Sequence, residues 1–180
     1  MANYTTSEIQ SMITSAALSA GVDPALALAV AQQESSFNPN AVSPTNKNGT
    51  TDYGLFQLNS ANLSAWGVTN PLDPTQNINA GIAYLAQLQQ QYGGDVQTML
   101  WAYNAGPGDV SNGILPASTS EYISQVTAAI PGFSSALPAD LSTDSGTTDT
   151  SVYSSDSDST YVYVAGGIVL VGLLAFVLSD

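Results

Sequence analysis

Apolar residues recur at helical spacing through the first two thirds of the chain. Ile9, Met12, Ile13, Ala16, Ala17 and Ala20 form one face of an amphipathic helix. Ser7 with Gln10 reads as its capping box and Gly21 as its stop. Asp23-Pro24 supplies the N-cap and first position of a second helix. Its ALALAVAQQE run is small and apolar on nearly every face and is expected deep in the domain. A third, short helix is expected after Ser60. Asp73-Pro74 opens a fourth, with Ile78, Ile82, Leu85 and Leu88 on one face and Gly93-Gly94 at its end. Asp95 caps a fifth through Val96, Met99, Leu100 and Tyr103. Ser118 with Glu121 opens the last, closed by Pro131-Gly132. No strand alternation and no internal repeat is legible. The pattern predicts a mostly α domain over residues 1–133.

The pattern then changes twice. Residues 134–160 contain nine Ser, five Thr and five Asp. Such a segment buries too little apolar area to offset its chain entropy, which predicts a flexible, disordered linker. From Val162 to Leu178 the chain runs 17 residues without a charge. As a helix it would be about 26 Å long, short but workable for a hydrocarbon core of about 30 Å. Tyr161 and Tyr163 would sit at one interface. A transmembrane helix is therefore expected over 161–178, with a buried C-terminal helix or strand of a soluble core as the alternative. The opening residues MANYTTSEIQ show neither the basic nor the apolar region of a signal peptide.

Composition narrows the chemistry. The 180 residues include 14 acids, one base (Lys47), no His and no Cys, for a net charge of −13. Ser-His-Asp triads, Cys-His pairs and His/Cys metal sites are excluded. One cation cannot neutralise a run of phosphates, which argues against nucleic acid as a partner. Carboxylates are left as the acid/base groups useful near neutral pH. The charge also divides: residues 1–133 carry a net −7 and the remainder −6.

Glu34 is the leading carboxylate. It ends the apolar second helix, ahead of Ser35-Ser36-Phe37-Asn38-Pro39. There it meets the negative end of the helix dipole, and desolvation by neighbouring helices would raise its pKa further. Those are the needs of a carboxylic acid that donates to a glycosidic oxygen. Alone, a helix-end Glu reads better as a solvent-exposed side chain. Its company is QQESSFNPNAVSP at 32–44, YGLFQLN at 53–59 and WAYNAGPGDV at 101–110.

These three blocks, in this order, resemble the signature of the soluble-type lytic transglycosylase domain, a member of the lysozyme-like superfamily. The resemblance covers roughly residues 8–130. It implies a lysozyme-like helical fold and cleavage of the β-1,4 bond between N-acetylmuramic acid and N-acetylglucosamine in peptidoglycan. The product would be a 1,6-anhydromuramoyl sugar. By position, Glu34 matches the family's single catalytic acid/base. Ser43 matches a Ser near that carboxyl, thought to assist it. Gln57 matches a residue lining the sugar cleft. Tyr103 and Asn104 match the block facing the Glu, where the Tyr hydroxyl can bond near the carboxyl. Phe56 is expected beneath the cleft and Trp101 in the core. No cofactor and no metal are implied.

Two other readings stay open. A hydrolytic muramidase needs a second carboxylate. Asp52 is the main candidate, with a turn or capping role as its plainer alternative. A non-catalytic wall-binding protein is the third. The expected partners are peptidoglycan strands, a lipid membrane through the C-terminal segment, and other virion membrane or capsid proteins. The expected place is a phage virion membrane, with wall cutting for genome entry, or a bacterial inner membrane facing the periplasm.

Overall fold

The computed structural model describes residues 4–133, 160–165 and 168–173. The chain divides into two units, residues 1–135 and 136–180.

The first unit is built from helices: α1 (Thr6–Ala20), α2 (Pro24–Ser35), α3 (Pro74–Gln91), α4 (Val96–Ala105), α5 (Pro107–Ser111) and α6 (Ala117–Ala128). Between α2 and α3 lies a small antiparallel pair, β1 (Asp52–Tyr53) and β2 (Leu58–Asn59). Each strand is two residues long, too short to leave an alternating pattern in the sequence. Helix α1 packs on α2 and α3, α4 packs on α3, α5 and α6, and α2 packs on α6.

The expected faces form. Ile9, Ile13 and Ala17 of α1 are buried, and so are Leu26, Ala27, Ala29, Val30 and Ala31 of α2. Gly21 takes the left-handed conformation (φ 69°) that ends α1, and the Asp23 side chain accepts from the Ala25 amide at 2.8 Å. Asp73 and Asp95 cap α3 and α4 as expected.

Three expectations are corrected. The capping box of α1 is Thr5 with Glu8, not Ser7 with Gln10. Glu8 Oε2 accepts from the Thr5 amide at 2.7 Å while Thr5 Oγ1 accepts from the Glu8 amide at 3.2 Å. A charged carboxylate is the stronger acceptor and favours the helix N-terminus. Helix α6 opens at Pro116, which stands extended at the N-cap with no side-chain cap. Ser118 is already inside the helix, and Glu121 accepts from Gln125 Nε2 instead. The short helix after Ser60 is absent; residues 60–67 form successive turns. There Asn59 Oδ1 takes the Ala61 amide, and Gly67 at φ 67° ends the run. Asn side chains that bond nearby backbone compete with helix in this way.

The core reaches under the middle loop. Leu55, Phe56 and Leu58 are fully buried, with Phe56 against Gly81 of α3. A Cβ added to Gly81 would stand 2.3 Å from Phe56 Cγ, so only glycine fits there. Asn77 of α3, 1% exposed, fastens the loop. Its Oδ1 accepts from the Phe56 amide at 2.9 Å, and its Nδ2 donates to the Tyr53 and Pro71 carbonyls at 2.8 Å each. Trp101 is in the core as expected, its Nε1 donating to the Ile114 carbonyl at 3.0 Å.

In the second unit, β3 (Thr160–Ala165) and β4 (Ile168–Leu173) pair antiparallel, with Ala165 opposite Ile168. Over Thr160–Ala165 and Ile168–Leu173 the chain forms paired strands where the sequence analysis expected part of a helix. The residues explain it: Tyr161, Val162, Tyr163, Val164, Ile168, Val169 and Val171 favour strands. Gly166-Gly167 is a poor helix interior and a favoured two-residue hairpin sequence. Among the described residues no helix is long and apolar enough to cross a membrane. Residues 134–159 of the expected linker, and 174–178 of the apolar run, lie outside the described residues.

Candidate active site

Glu34 occupies the last turn of α2, half-buried. The backbone turns sharply after it. Ser36 (φ 52°) and Phe37 (φ 61°) are consecutive non-glycine residues in the left-handed region, a strain of about 1–3 kcal/mol each. Two contacts hold the turn in place. Phe37 is buried, and Ser35 Oγ donates to the Leu55 carbonyl at 2.9 Å, tying the helix end to the middle loop.

One phenol addresses the carboxyl. Tyr122 of α6, 7% exposed, donates to Glu34 Oε1 at 2.6 Å. Burial pushes the Glu34 carboxyl up to about 7, the Tyr122 hydrogen bond pulls it down, and the nearby charge of Asp52 raises it. Burial, and then the charge of Glu34, hold the Tyr122 and Tyr103 phenols well above their ordinary range. Both therefore stay protonated donors.

Glu34 opens into a cleft of about 600 Å³. Its wall includes Asp52, Gln57, Asn59, Tyr84, Tyr103 and Asn104. Side-chain amides dominate it, with Asn46, Asn48 and Asn62 adding three more. Trp66, Tyr84 and Tyr103 form a tilted ladder, with ring centroids 5.4 Å and 5.5 Å apart. Aromatic rings and amides suit a neutral, hydroxyl-rich ligand, by stacking and by hydrogen bonding respectively. A second groove of about 690 Å³, between α1 and α3, holds no ionisable side chain.

Four of the five residues singled out in the sequence line this cleft: Glu34, Gln57, Tyr103 and Asn104. Tyr103 donates to the Phe56 carbonyl at 2.8 Å. Asn104 Oδ1 accepts from Thr119 Oγ1 of α6 at 2.8 Å. Gln57 (φ 45°) turns its Nε2 onto the Gly54 carbonyl at 2.9 Å. Ser43 stands with Asp52: its Oγ accepts from the Asp52 amide at 2.9 Å, and its one proton has the Pro44 carbonyl at 3.1 Å and Asp52 Oδ2 at 3.3 Å as acceptors. Asp52 also accepts from Asn46 Nδ2 at 2.9 Å and Asn59 Nδ2 at 2.7 Å. Tyr122 and Asn77 escaped sequence reasoning. The one available signal for Tyr122 was its place with Val126 on the apolar face of the last helix.

Fold and cleft together define a helical domain organised around one protonatable carboxyl. The Transglycosylase SLT domain family matches residues 11–125, and the chain belongs to that family. Over 105 residues it is 42% identical to the transglycosylase of Enterobacteria phage PRD1, covering 58% of this chain and 36% of that protein. Over 116 residues it is 37% identical to membrane-bound lytic murein transglycosylase C of Serratia proteamaculans (strain 568), covering 55% and 31%. The crystal structure of the 70 kDa soluble lytic transglycosylase from Escherichia coli matches with a TM-score of 0.57 at 27% identity, covering 66% of this chain and 23% of that one. The chain thus matches about a third of the length of these curated relatives.

Proposed function

We propose that the chain is a peptidoglycan lytic transglycosylase in which Glu34 carries both proton transfers. The observation that carries this reading is the half-buried carboxyl, raised to about 7, at the wall of an amide- and aromatic-lined cleft. As acid, Glu34 protonates the oxygen leaving C1 of the muramoyl sugar, and the C1–O bond breaks. As base, the resulting carboxylate takes the proton of the muramoyl C6 hydroxyl as that oxygen bonds to C1. The proton returns to Glu34, no water is consumed, and a 1,6-anhydro ring forms. A group whose pKa lies near the working pH serves both directions. Tyr122 orients it. Gln57, Tyr103 and Asn104 line the sugar's path, and Ser43 pins the neighbouring loop to the Asp52 backbone. Mass spectrometry of muropeptides released by the full chain tests this. Products lighter by one water than the hydrolytic ones are expected; hydrated reducing ends as the main product overturn it.

One observation favours the hydrolytic alternative: Asp52 shares the cleft. Asn46 Nδ2 and Asn59 Nδ2 hold its carboxylate at 2.9 Å and 2.7 Å.

The setting we propose is a membrane-held enzyme, with residues 1–133 as the cutting domain and 134–160 as a linker. The 17-residue uncharged run supports this, as do relatives described as membrane-bound. An open two-stranded hairpin leaves its edge groups unpaired in hydrocarbon. Contact with lipid through this run therefore favours an interfacial or helical arrangement. The phage relative supports a virion role in opening the host wall for genome entry.

A further inference from the structure

We infer that Thr119 is a positioning residue that locks the Asn104 amide with its N–H end toward the cleft, so that this wall selects a carbonyl oxygen, that of the sugar's N-acetyl group, over a hydroxyl. The inference rests on the transglycosylase reading above, which leaves Thr119 without a role.

Pro116 stands extended at the N-cap of α6, which makes Thr119 the third residue of that helix. A threonine deeper in a helix can turn its hydroxyl back onto the carbonyl one turn earlier. Thr127 of the same helix does so, donating to the Ile123 carbonyl at 2.7 Å. For Thr119 the residue four back is Leu115, which lies outside the helix. Its hydroxyl crosses to α4 instead and donates to Asn104 Oδ1 at 2.8 Å. Thr119 is 2% exposed, and Asn104 Oδ1 is the one acceptor its proton has among the described residues. Burial sets the direction of this bond. With the amide turned over, Asn104 Nδ2 would donate to Thr119 Oγ1, and the hydroxyl proton would be buried without an acceptor. A buried donor left unpaired is the costly arrangement.

Asn104 itself is exposed and lines the cleft with Glu34 and Tyr103. With Oδ1 committed to Thr119, the Nδ2 end is left for the cleft. The neighbouring donors are engaged elsewhere: the Tyr103 hydroxyl on the Phe56 carbonyl and Gln57 Nε2 on the Gly54 carbonyl. An amide free to turn over serves a sugar hydroxyl as donor or as acceptor. One fixed as a donor favours a group that only accepts. The acetamido carbonyl is such a group, and both sugars of the proposed substrate carry one.

The test is Thr119→Val in the full chain, which keeps the shape and removes the hydroxyl. Soluble glycan strands are supplied fully N-acetylated or chemically de-N-acetylated. We expect KM on the acetylated strands to rise about tenfold, the effect of one lost hydrogen bond. Loss of binding common to ground and transition states should leave kcat within about threefold of wild type. On de-N-acetylated strands the variant and wild type should agree in KM within about twofold, since the partner of the Asn104 N–H is already gone. Thr119→Ser restores the hydroxyl and should restore KM. Asn104→Asp keeps an oxygen for Thr119 but offers no N–H, and should raise KM on acetylated strands at least as much as Thr119→Val. Wild-type KM on acetylated strands in folded Thr119→Val protein overturns the inference. So does an equal rise on both kinds of strand, which is the mark of a merely structural role. If Thr119→Val melts below the assay temperature, Asn104→Asp, on the exposed side of the bond, is read on both strands by the same two criteria. A wild-type chain that releases no anhydro product fails the underlying reading instead, and that control separates the two.

Discussion

The phenol of Tyr122 donates a 2.6 Å hydrogen bond to Oε1 of Glu34, 88 residues earlier in the chain. It joins α6 to the end of α2 and gives the carboxyl its only direct side-chain partner among the described residues. A donor to a carboxylate favours the ionised form, so this bond opposes the burial that raises Glu34. Tyr122→Phe should therefore move the basic limb of activity above that of wild type, opposite to Asp52→Asn, which removes a charge that raises Glu34. The rate at the optimum should drop about tenfold as the carboxyl loses orientation. A pH–rate profile of the two variants checks both signs.

Glu34→Gln should abolish glycan cleavage and also make the domain more stable at high pH. Folding raises the carboxyl from 4.5 to about 7, so the folded chain binds this proton more tightly than the unfolded chain. Its contribution to stability is fully present below the unfolded value of 4.5 and is lost as pH rises through about 7. At pH near 8 the ionised carboxyl then costs about 2 kcal/mol, allowing for its residual contact with water. The glutamine variant should melt above wild type there, and the gap should close toward acid pH. Thermal unfolding at several pH values measures it.

Asn77→Ala should damage the cleft without touching substrate. The variant orphans the Phe56 amide and two carbonyls that the side chain now satisfies. A loss of about 3 kcal/mol is expected from buried groups left unpaired. Denaturant unfolding gives the stability, and the glycan assay should show activity falling even where the protein remains folded.

Gly81→Ala should also be disruptive, through packing. The added methyl would meet the fully buried Phe56 ring at 2.3 Å. Overpacking of this kind costs about 1–3 kcal/mol. A lower melting temperature, with the cleft aromatics Tyr84 and Tyr103 shifted in NMR spectra, would confirm that α3 sets the cleft floor.

Removing residues 160–180 should abolish flotation with anionic vesicles and leave cleavage of soluble glycan unchanged. Flotation by the shortened chain would place the lipid contact in the helical unit instead.

The amino-acid sequence alone determined the helices, their faces and most of their caps, because those depend on residues within one or two turns. Glu34, Gln57, Tyr103 and Asn104 were singled out because their three short blocks resemble a family signature, and all four line the cleft. Tertiary structure decided what each of them bonds to. The Tyr103 hydroxyl serves the Phe56 carbonyl, and the Ser43 hydroxyl takes the Asp52 amide. Tyr122 and Asn77 reach their partners across 88 and 21 residues, and no local pattern encodes such a pairing. The C-terminal run shows the same limit. Hydropathy fixed its apolar character, but β-branched side chains around Gly166-Gly167 also permit strands, and the pairing of Thr160–Ala165 with Ile168–Leu173 is a choice between conformations that composition leaves open. Local periodicity specifies what an element is. Which donor meets which carboxylate depends on where the folded chain returns, and only packing decides that.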